Sequence, residues 1–221
     1  MEFSDLTIIR SARRSVSLEV GRNGVVTIRA PKRASEALLR SFFEEKRDWI
    51  EKQVAKQLER GLKSKRYYKE GEIFHYLGEG YPLRLRDKGK RFEMCDAFLV
   101  HRASEPAAKK LLEAWYKKRA RQIFHERLDH HAAAMNLPYS RLRLSSARTR
   151  WGSCRGDGIN LNWRLVMAPL GVIDSVVIHE LAHIRHKNHG KHFWNLVHTH
   201  CSDYKMHDKW LKKNAHLVAW D

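Results

Sequence analysis

His179-Glu180-Leu181-Ala182-His183 constrains the fold more than any other stretch of this chain. Residues four apart on an α-helix lie on one face, about one turn above each other. Two imidazoles so placed can chelate a single Zn²⁺, and the glutamate between them reaches the metal-bound water as a general base. The preceding run Val172-Ile173-Asp174-Ser175-Val176-Val177-Ile178 is apolar enough to bury such a helix beside a core. The segment from His186 to Trp194 adds further histidines directly downstream and strengthens the reading.

A catalytic zinc usually takes three protein ligands and keeps one position for water. No glutamate follows Glu180, so a downstream Glu ligand has no candidate. His186 lies seven residues after His179. On a continued helix it would stand about 10 Å along the axis, too far for an ion between His179 and His183. His189 can return to the ion if the chain leaves the helix, and Asn188 tolerates the left-handed conformation that such an exit uses. Gly190 gives further freedom, and Phe193, Trp194 and Val197 begin another amphipathic helix. The spacing therefore favours His189 as the third ligand. His192, His198, His200 and His207 read as surface or supporting histidines, and His186 as a supporting or substrate-contacting one. An inert structural zinc site would call for four protein ligands and no glutamate at the second motif position.

Length and composition set the outer bounds. A chain of 221 residues with 43% hydrophobic residues and seven Trp can bury a real core. Lysine and arginine number 43 against 25 acids, a formal charge of +18 that attracts polyanions such as nucleic acid or nucleotides. The charges are scattered, which also suits a generally basic protein with no nucleic-acid site. Three cysteines without a CxxC pair argue against a disulfide framework and for a reducing compartment. With no apolar run near the roughly 18 residues of a span, and no secretory signal, the cytoplasm is the expected location and no membrane partner is expected.

Along the chain, residues 6–10, 15–20 and 25–29 read as strands of a small antiparallel sheet, with a turn at Gly21-Arg22-Asn23-Gly24. Ser35 can cap a long helix that ends near Gly61. Residues 72–77 and 81–86 flank Gly78-Glu79-Gly80 as a hairpin, and 98–100 is a further strand. A helix is predicted from Ser104 to about Met135, closed by Asn136-Leu137-Pro138. Residues 141–146 and 159–163 read as strands around a Gly156-Asp157-Gly158 turn, and the metal helix and one or two more helices follow. The expected organisation is α+β, with a β-rich accessory region over 1–103 that carries one long helix and a catalytic unit over 104–221.

Several separate words of this sequence resemble the YgjP-like family of metal-dependent hydrolases, often classed with zinc metallopeptidases. They are Ala30-Pro31-Lys32-Arg33, Tyr76-Leu77-Gly78, Arg150-Trp151-Gly152-Ser153-Cys154, Asn160-Leu161-Asn162-Trp163-Arg164-Leu165, Ala168-Pro169, and the stretch from Val177 through His179, His183, His186 and His189 to Phe193-Trp194. Gly190 stands where that family is expected to have serine, and the His189-Gly190 pair is similar to SprT-type proteases. The resemblance implies a zincin-like C-terminal domain, one Zn²⁺ per chain on His179, His183 and His189, and Glu180 as base in peptide hydrolysis. Cys154 reads as part of a strand-turn beside the site more than as a nucleophile. Arg148, Arg150 and Arg164 can line a cleft, Asp174 can hold a ligand histidine, and Tyr204, His186 and Arg150 are candidates for the oxyanion donor. Two alternatives keep the metal and change the substrate: a nucleoside triphosphate such as UTP, cleaved at a phosphoanhydride, or proteins bound to nucleic acid, as the SprT likeness suggests.

Overall fold

Val26, Ile28 and Ala30 alternate along a strand, β3 (Val26–Pro31), and all three are buried. They face Leu39, Phe43 and Ile50 of a long helix, α1 (Glu36–Ser64), in one apolar cluster. Ser35 caps that helix: its hydroxyl accepts from the Leu38 amide at 3.3 Å. On either side of β3 lie β1 (Thr7–Ser11) and β2 (Ser17–Val20). β2 is antiparallel to β3, but β1 is parallel to it, which corrects the all-antiparallel sheet expected. Alternation reports which face is buried and is blind to strand direction. The computed structural model describes residues 1–21, 24–64, 66–218 and 220, so Arg22 and Asn23 of the expected turn lie outside the described residues. Gly24 beside them has φ +80°.

The chain divides into two compact units, Met1–Lys65 and Arg66–Trp220. The boundary expected near residue 103 falls inside the second unit. Its physical reason is a shared core: Phe74, Leu83, Phe98 and Val100 of the second sheet are buried in one cluster with the helices that follow. That sheet has the order β4 (Ile73–Tyr76), β5 (Glu79–Arg86), β7 (Phe98–His101), β6 (Phe92–Met94). β4 and β5 are joined by Leu77 (φ 52°) and Gly78 (φ +92°), a two-residue turn with both residues left-handed. The hairpin is therefore tighter than the Gly78-Glu79-Gly80 loop expected, and Glu79 and Gly80 lie inside β5. The turn does more than reverse the chain. Its amides donate to the carbonyls of Val166 (2.9 Å) and Met167 (3.1 Å), and a Cβ on Gly78 would come within 2.9 Å of Pro169. The Tyr76-Leu77-Gly78 tip thus clamps the segment that leads into the metal-motif helix.

Helix α2 (Ala108–Met135) buries Leu112, Tyr116, Ala120, Phe124, Leu128 and Ala132, a strict four-residue spacing. Each such step turns about 400°, so the buried stripe winds around the helix. Its first half meets the second sheet, where Tyr116 packs 5.6 Å from Phe98 and donates to the His75 carbonyl at 2.7 Å. Its second half lies along α3 (Leu170–Arg185) and β8 (Arg141–Ser145). β8 belongs to a third sheet of order β8, β10 (Gly158–Asn162), β9 (Gly152–Arg155), with β8 parallel and β9 antiparallel to β10. α4 (Lys191–His200) and α5 (Tyr204–Asn214) complete the unit. Among the described residues no helix is long and apolar enough to cross a membrane.

Asp174 fixes α3 against α2. Its carboxylate takes two bonds from Arg127, at 2.6 and 2.9 Å, and stands 3.2 Å from His131. Burial alone would raise its pKa, yet hydrogen bonds from His131 and Arg127 hold it below the ordinary value. The expectation that Asp174 supports a ligand histidine is thereby corrected: five residues before His179, it points about 140° away around the helix. Because the folded carboxyl titrates below its unfolded value, the pairing stabilises the fold above the usual carboxylate range and is lost as pH falls through the folded value. Asp174→Asn should cost about 1–3 kcal/mol at neutral pH in urea unfolding of the metal-free protein. The deficit should shrink as pH drops below about 4. An undiminished deficit at low pH would show that the carboxylate charge is not what holds the two helices.

Candidate active site

α3 begins directly after Pro169, whose backbone is not helical (φ −55°, ψ 150°), and is buried on most sides through Val172, Ile173, Val176, Val177, Ile178, Leu181 and Ala182. What remains is a narrow face carrying His179, Glu180 and His183. The helix stops at Arg185, and His186 leaves it in an extended conformation (φ −124°, ψ 105°). Asn188 is not among the residues of positive φ, so the left-handed exit expected there is corrected. The two residues after His186 bend the chain instead, and α4 begins after Gly190. Gly190 has φ −78° and open space where a Cβ would stand, so its conformational freedom goes unused and serine would fit.

This exit returns His189 to the helix. The ligand-capable atoms of His179, His183 and His189 all lie within 4.8 Å of one another, and the Nε2 atoms of His179 and His189 are 3.2 Å apart. The three ring centroids form a nearly equilateral triangle with sides of 4.9, 5.0 and 4.7 Å. Phe193, fully buried, forms its floor, with its ring 5.0, 4.6 and 4.7 Å from those of His179, His183 and His189. His186 is not in the cluster. Its carbonyl lies 3.0 Å from His183 Nδ1, and its ring faces His192 at 6.1 Å. The supporting role expected of His186 is thus played by its main chain.

The donor set fits a metal ion. Nitrogens each about 2.0–2.1 Å from a tetrahedral ion stand about 3.3 Å apart, close to the His179–His189 separation. Burial, then the charges of His183 and His189, push the His179 pKa down to about 4, and burial lowers that of His183. Neutral rings offer lone pairs. The His186 carbonyl selects the tautomer of His183 with its proton on Nδ1, and the Tyr204 hydroxyl, 3.0 Å from His179 Nδ1, can do the same for His179.

Glu180 is 6% exposed, and among the described residues it has no hydrogen-bond or ion-pair partner. Burial raises its pKa to about 7, against the opposing charge of Arg150. The carboxylate lines a cleft of about 230 Å³ shared with Arg150, Trp151, Gly152, His179, Tyr204 and Asp208. Gly152 makes this arrangement fit. A Cβ there would fall 2.5 Å from Glu180 Oε1 and 2.6 Å from its Cγ. The segment before β9 is braced by the buried Asn162, whose amide donates to the Ala147 carbonyl at 2.7 Å. Of the three arginines expected to line the cleft, Arg150 does so; Arg164 bonds the Ser146 carbonyl and lies over the Trp163 ring, and Arg148 is not a lining residue. Cys154 sits within β9 opposite Ile159, its thiol against the Gly156 carbonyl and its pKa raised by burial, which is not a nucleophile's environment.

A YgjP-like metallopeptidase-domain model matches residues 14–214. The chain belongs to that YgjP-like family. No curated protein matches the YgjP-like chain. Among solved structures it is similar to the metallopeptidase zymogen abylysin of Pyrococcus abyssi, at 17% identity over 41% of this chain and 93% of that one, TM-score 0.36. It is likewise similar to the metallopeptidase zymogen jannalysin of Methanocaldococcus jannaschii, at 19% identity over 41% and 95%, TM-score 0.35.

Sequence reading of this YgjP-like domain missed Gly152 and Phe193 as parts of the site. A glycine inside a strand often marks a close approach and was the available signal for Gly152. Gly152→Ala should destabilise the metal-free protein by about 1–3 kcal/mol, the usual effect of overpacking. Adding Glu180→Ala should recover most of that loss in a double-mutant cycle followed by denaturant unfolding. Additive effects would place the two side chains out of contact.

Proposed function

We propose that this chain is a zincin-like, zinc-dependent peptidase, with one Zn²⁺ held by His179, His183 and His189 and Glu180 as general base. One observation carries the reading: three converging imidazoles stand beside a buried carboxylate that has no hydrogen-bond or ion-pair partner among the described residues. When bound, the ion supplies Lewis-acid polarisation of the scissile carbonyl and lowers the pKa of the attacking water to about 7. Glu180, on the cleft wall next to His179, takes the water proton on its carboxylate and passes it to the departing amine nitrogen. If His179 Nδ1 donates to the Tyr204 oxygen, the Tyr204 hydroxyl proton is left to bond the carbonyl oxygen of the substrate. Burial first raises the pKa of that phenol to about 12, so it stays protonated. Arg150, also in the cleft, can stabilise the same developing charge. His186 has no direct part in this scheme beyond its carbonyl.

Two features support a polypeptide over a nucleoside triphosphate. β9 is an edge strand of its sheet, and its first residue, Gly152, abuts Glu180. An extended chain that pairs along that edge passes the carboxylate. The cleft lining also holds a second carboxylate, Asp208, beside Glu180 and one arginine, Arg150, a balance that disfavours a triphosphate.

Glu180→Gln should keep one equivalent of zinc and lose about 10²–10⁴-fold in hydrolysis of an unstructured polypeptide, measured with casein and with UTP as the rival substrate. Full activity in that variant, or turnover of UTP alone, would sink the proposal. Zinc titration separates the two flanking histidines. His189→Ala should lose zinc affinity by orders of magnitude, along with the zinc dependence of its melting temperature. His186→Ala should still bind one zinc, since its carbonyl survives. The reverse outcome would remove His189 from the site.

A further inference from the structure

The third sheet has a second face. β9 turns Gly152 toward Glu180, and the alternate residues Ser153 and Arg155 lie on the other side. β8 alternates in the same way: Leu142 is buried, and Arg141 and Arg143 are exposed. Register brings these together. Arg141, Gly158 and Arg155 stand in one row across the three strands, and Arg143, Asn160 and Ser153 in the next. Arg141, Arg143, Arg155, Gly158 and Asn160 line a groove of about 530 Å³ with Gly156, and this groove shares no residue with the catalytic cleft.

Gly158 is what makes the groove. With no side chain on the middle strand, Arg141 lies across it: a Cβ at position 158 would meet Arg141 Nε at 3.2 Å and Cγ at 3.5 Å. The guanidinium is thereby carried toward Arg155, two strands and about 10 Å away. Among the described residues, none of Arg141, Arg143 and Arg155 has an ion-pair partner. The carboxylate of the connecting turn, Asp157, accepts from the Ser140 hydroxyl at 2.7 Å. Lys187 adds another positive charge at that end, its Nζ on the Gly156 carbonyl at 3.1 Å. Like charges gathered on a sheet face destabilise it, and no ion pair among the described residues offsets them.

We propose that Arg141, Arg143 and Arg155 bind the phosphate backbone of nucleic acid on this face. Guanidinium forks match phosphate oxygens in pairs, and the chain's +18 charge favours a long polyanion over a small one. The lining contains no aromatic residue on which a base could stack. Binding is therefore to backbone, indifferent to sequence, and depends on the number of phosphates reached.

The test is fluorescence anisotropy of a labelled single-stranded oligothymidine of about thirty nucleotides, titrated with the full-length protein at several salt concentrations. Arg141→Gln/Arg143→Gln/Arg155→Gln should weaken binding by about 10–100-fold and flatten the plot of log K against log salt by about 2, near 0.7 for each lost contact. A control that removes as many charges elsewhere, Lys88→Gln/Lys110→Gln/Lys209→Gln, should change affinity less than about threefold. Glu180→Gln should bind like wild type, so a failed hydrolysis assay leaves this proposal standing. If the triple variant does not fold, the three single variants carry the test, each with a few-fold loss and a salt slope lower by about 0.7. Equal weakening by the control would reduce the groove to diffuse surface charge and overturn the proposal. So would unchanged binding in the groove variants, or arginine-dependent binding to phosphatidylserine vesicles with none to the oligonucleotide.

Discussion

A helix buried on nearly every side, with one polar face turned to the cleft, is the constraint on which the second unit is built. Val172, Ile173, Val176, Val177, Ile178, Leu181 and Ala182 remove α3 from water. The residues left over, His179, Glu180 and His183, are therefore held by packing and not by a mobile loop. The surroundings follow from that burial. α2 winds its apolar stripe to meet both α3 and the second sheet, Asp174 ties α3 to Arg127 and His131, and the Leu77-Gly78 turn clamps the segment before Pro169. Burial in this scaffold raises the pKa of the Glu180 carboxyl to about 7, against the opposing charge of Arg150.

The histidine triangle depends on where the helix stops. Had α3 run on past Arg185, the His186 carbonyl would have continued the helical hydrogen-bond ladder. Ending there frees that carbonyl for His183 Nδ1 and sends His189 back across Phe193. One chain exit thus completes the triangle and orients one of its members. The floor beneath is apolar, so the three nitrogens are the polar groups pointing into the centre.

The parts of this site that were legible in the sequence are the local ones. Positions four apart on a helix need no knowledge of the rest of the fold, and His189 was reachable as the next histidine after a break. The means of the break was not legible: an extended His186 leaves no mark in the sequence, whereas Asn188 offered a plausible left-handed turn that the chain does not use. Asp174 was misassigned because proximity in sequence outweighed helical phase, and its partners stand on a helix 47 and 43 positions earlier. The parallel pairing of β1 with β3, the membership of the second sheet in the later unit, and the Gly152–Glu180 contact all rest on distant residues meeting, which a periodic pattern does not encode. The basic row across β8, β10 and β9 belongs with these. Arg141 and Arg143 alternate visibly, yet only register brings Arg155 opposite.

The central claim is that three imidazoles hold one ion and leave it open on the side of Glu180. A crystal structure of the zinc-loaded protein tests it most directly. The account predicts one zinc bonded to a ring nitrogen of each of His179, His183 and His189 at about 2.0–2.1 Å, with no fourth protein ligand and the Glu180 carboxylate outside bonding distance. A fourth ligand from the chain, such as a Cys154 or Cys201 sulfur at about 2.3 Å, would close the site. An ion held through the His186 ring would displace the triangle. Either result would contradict the account.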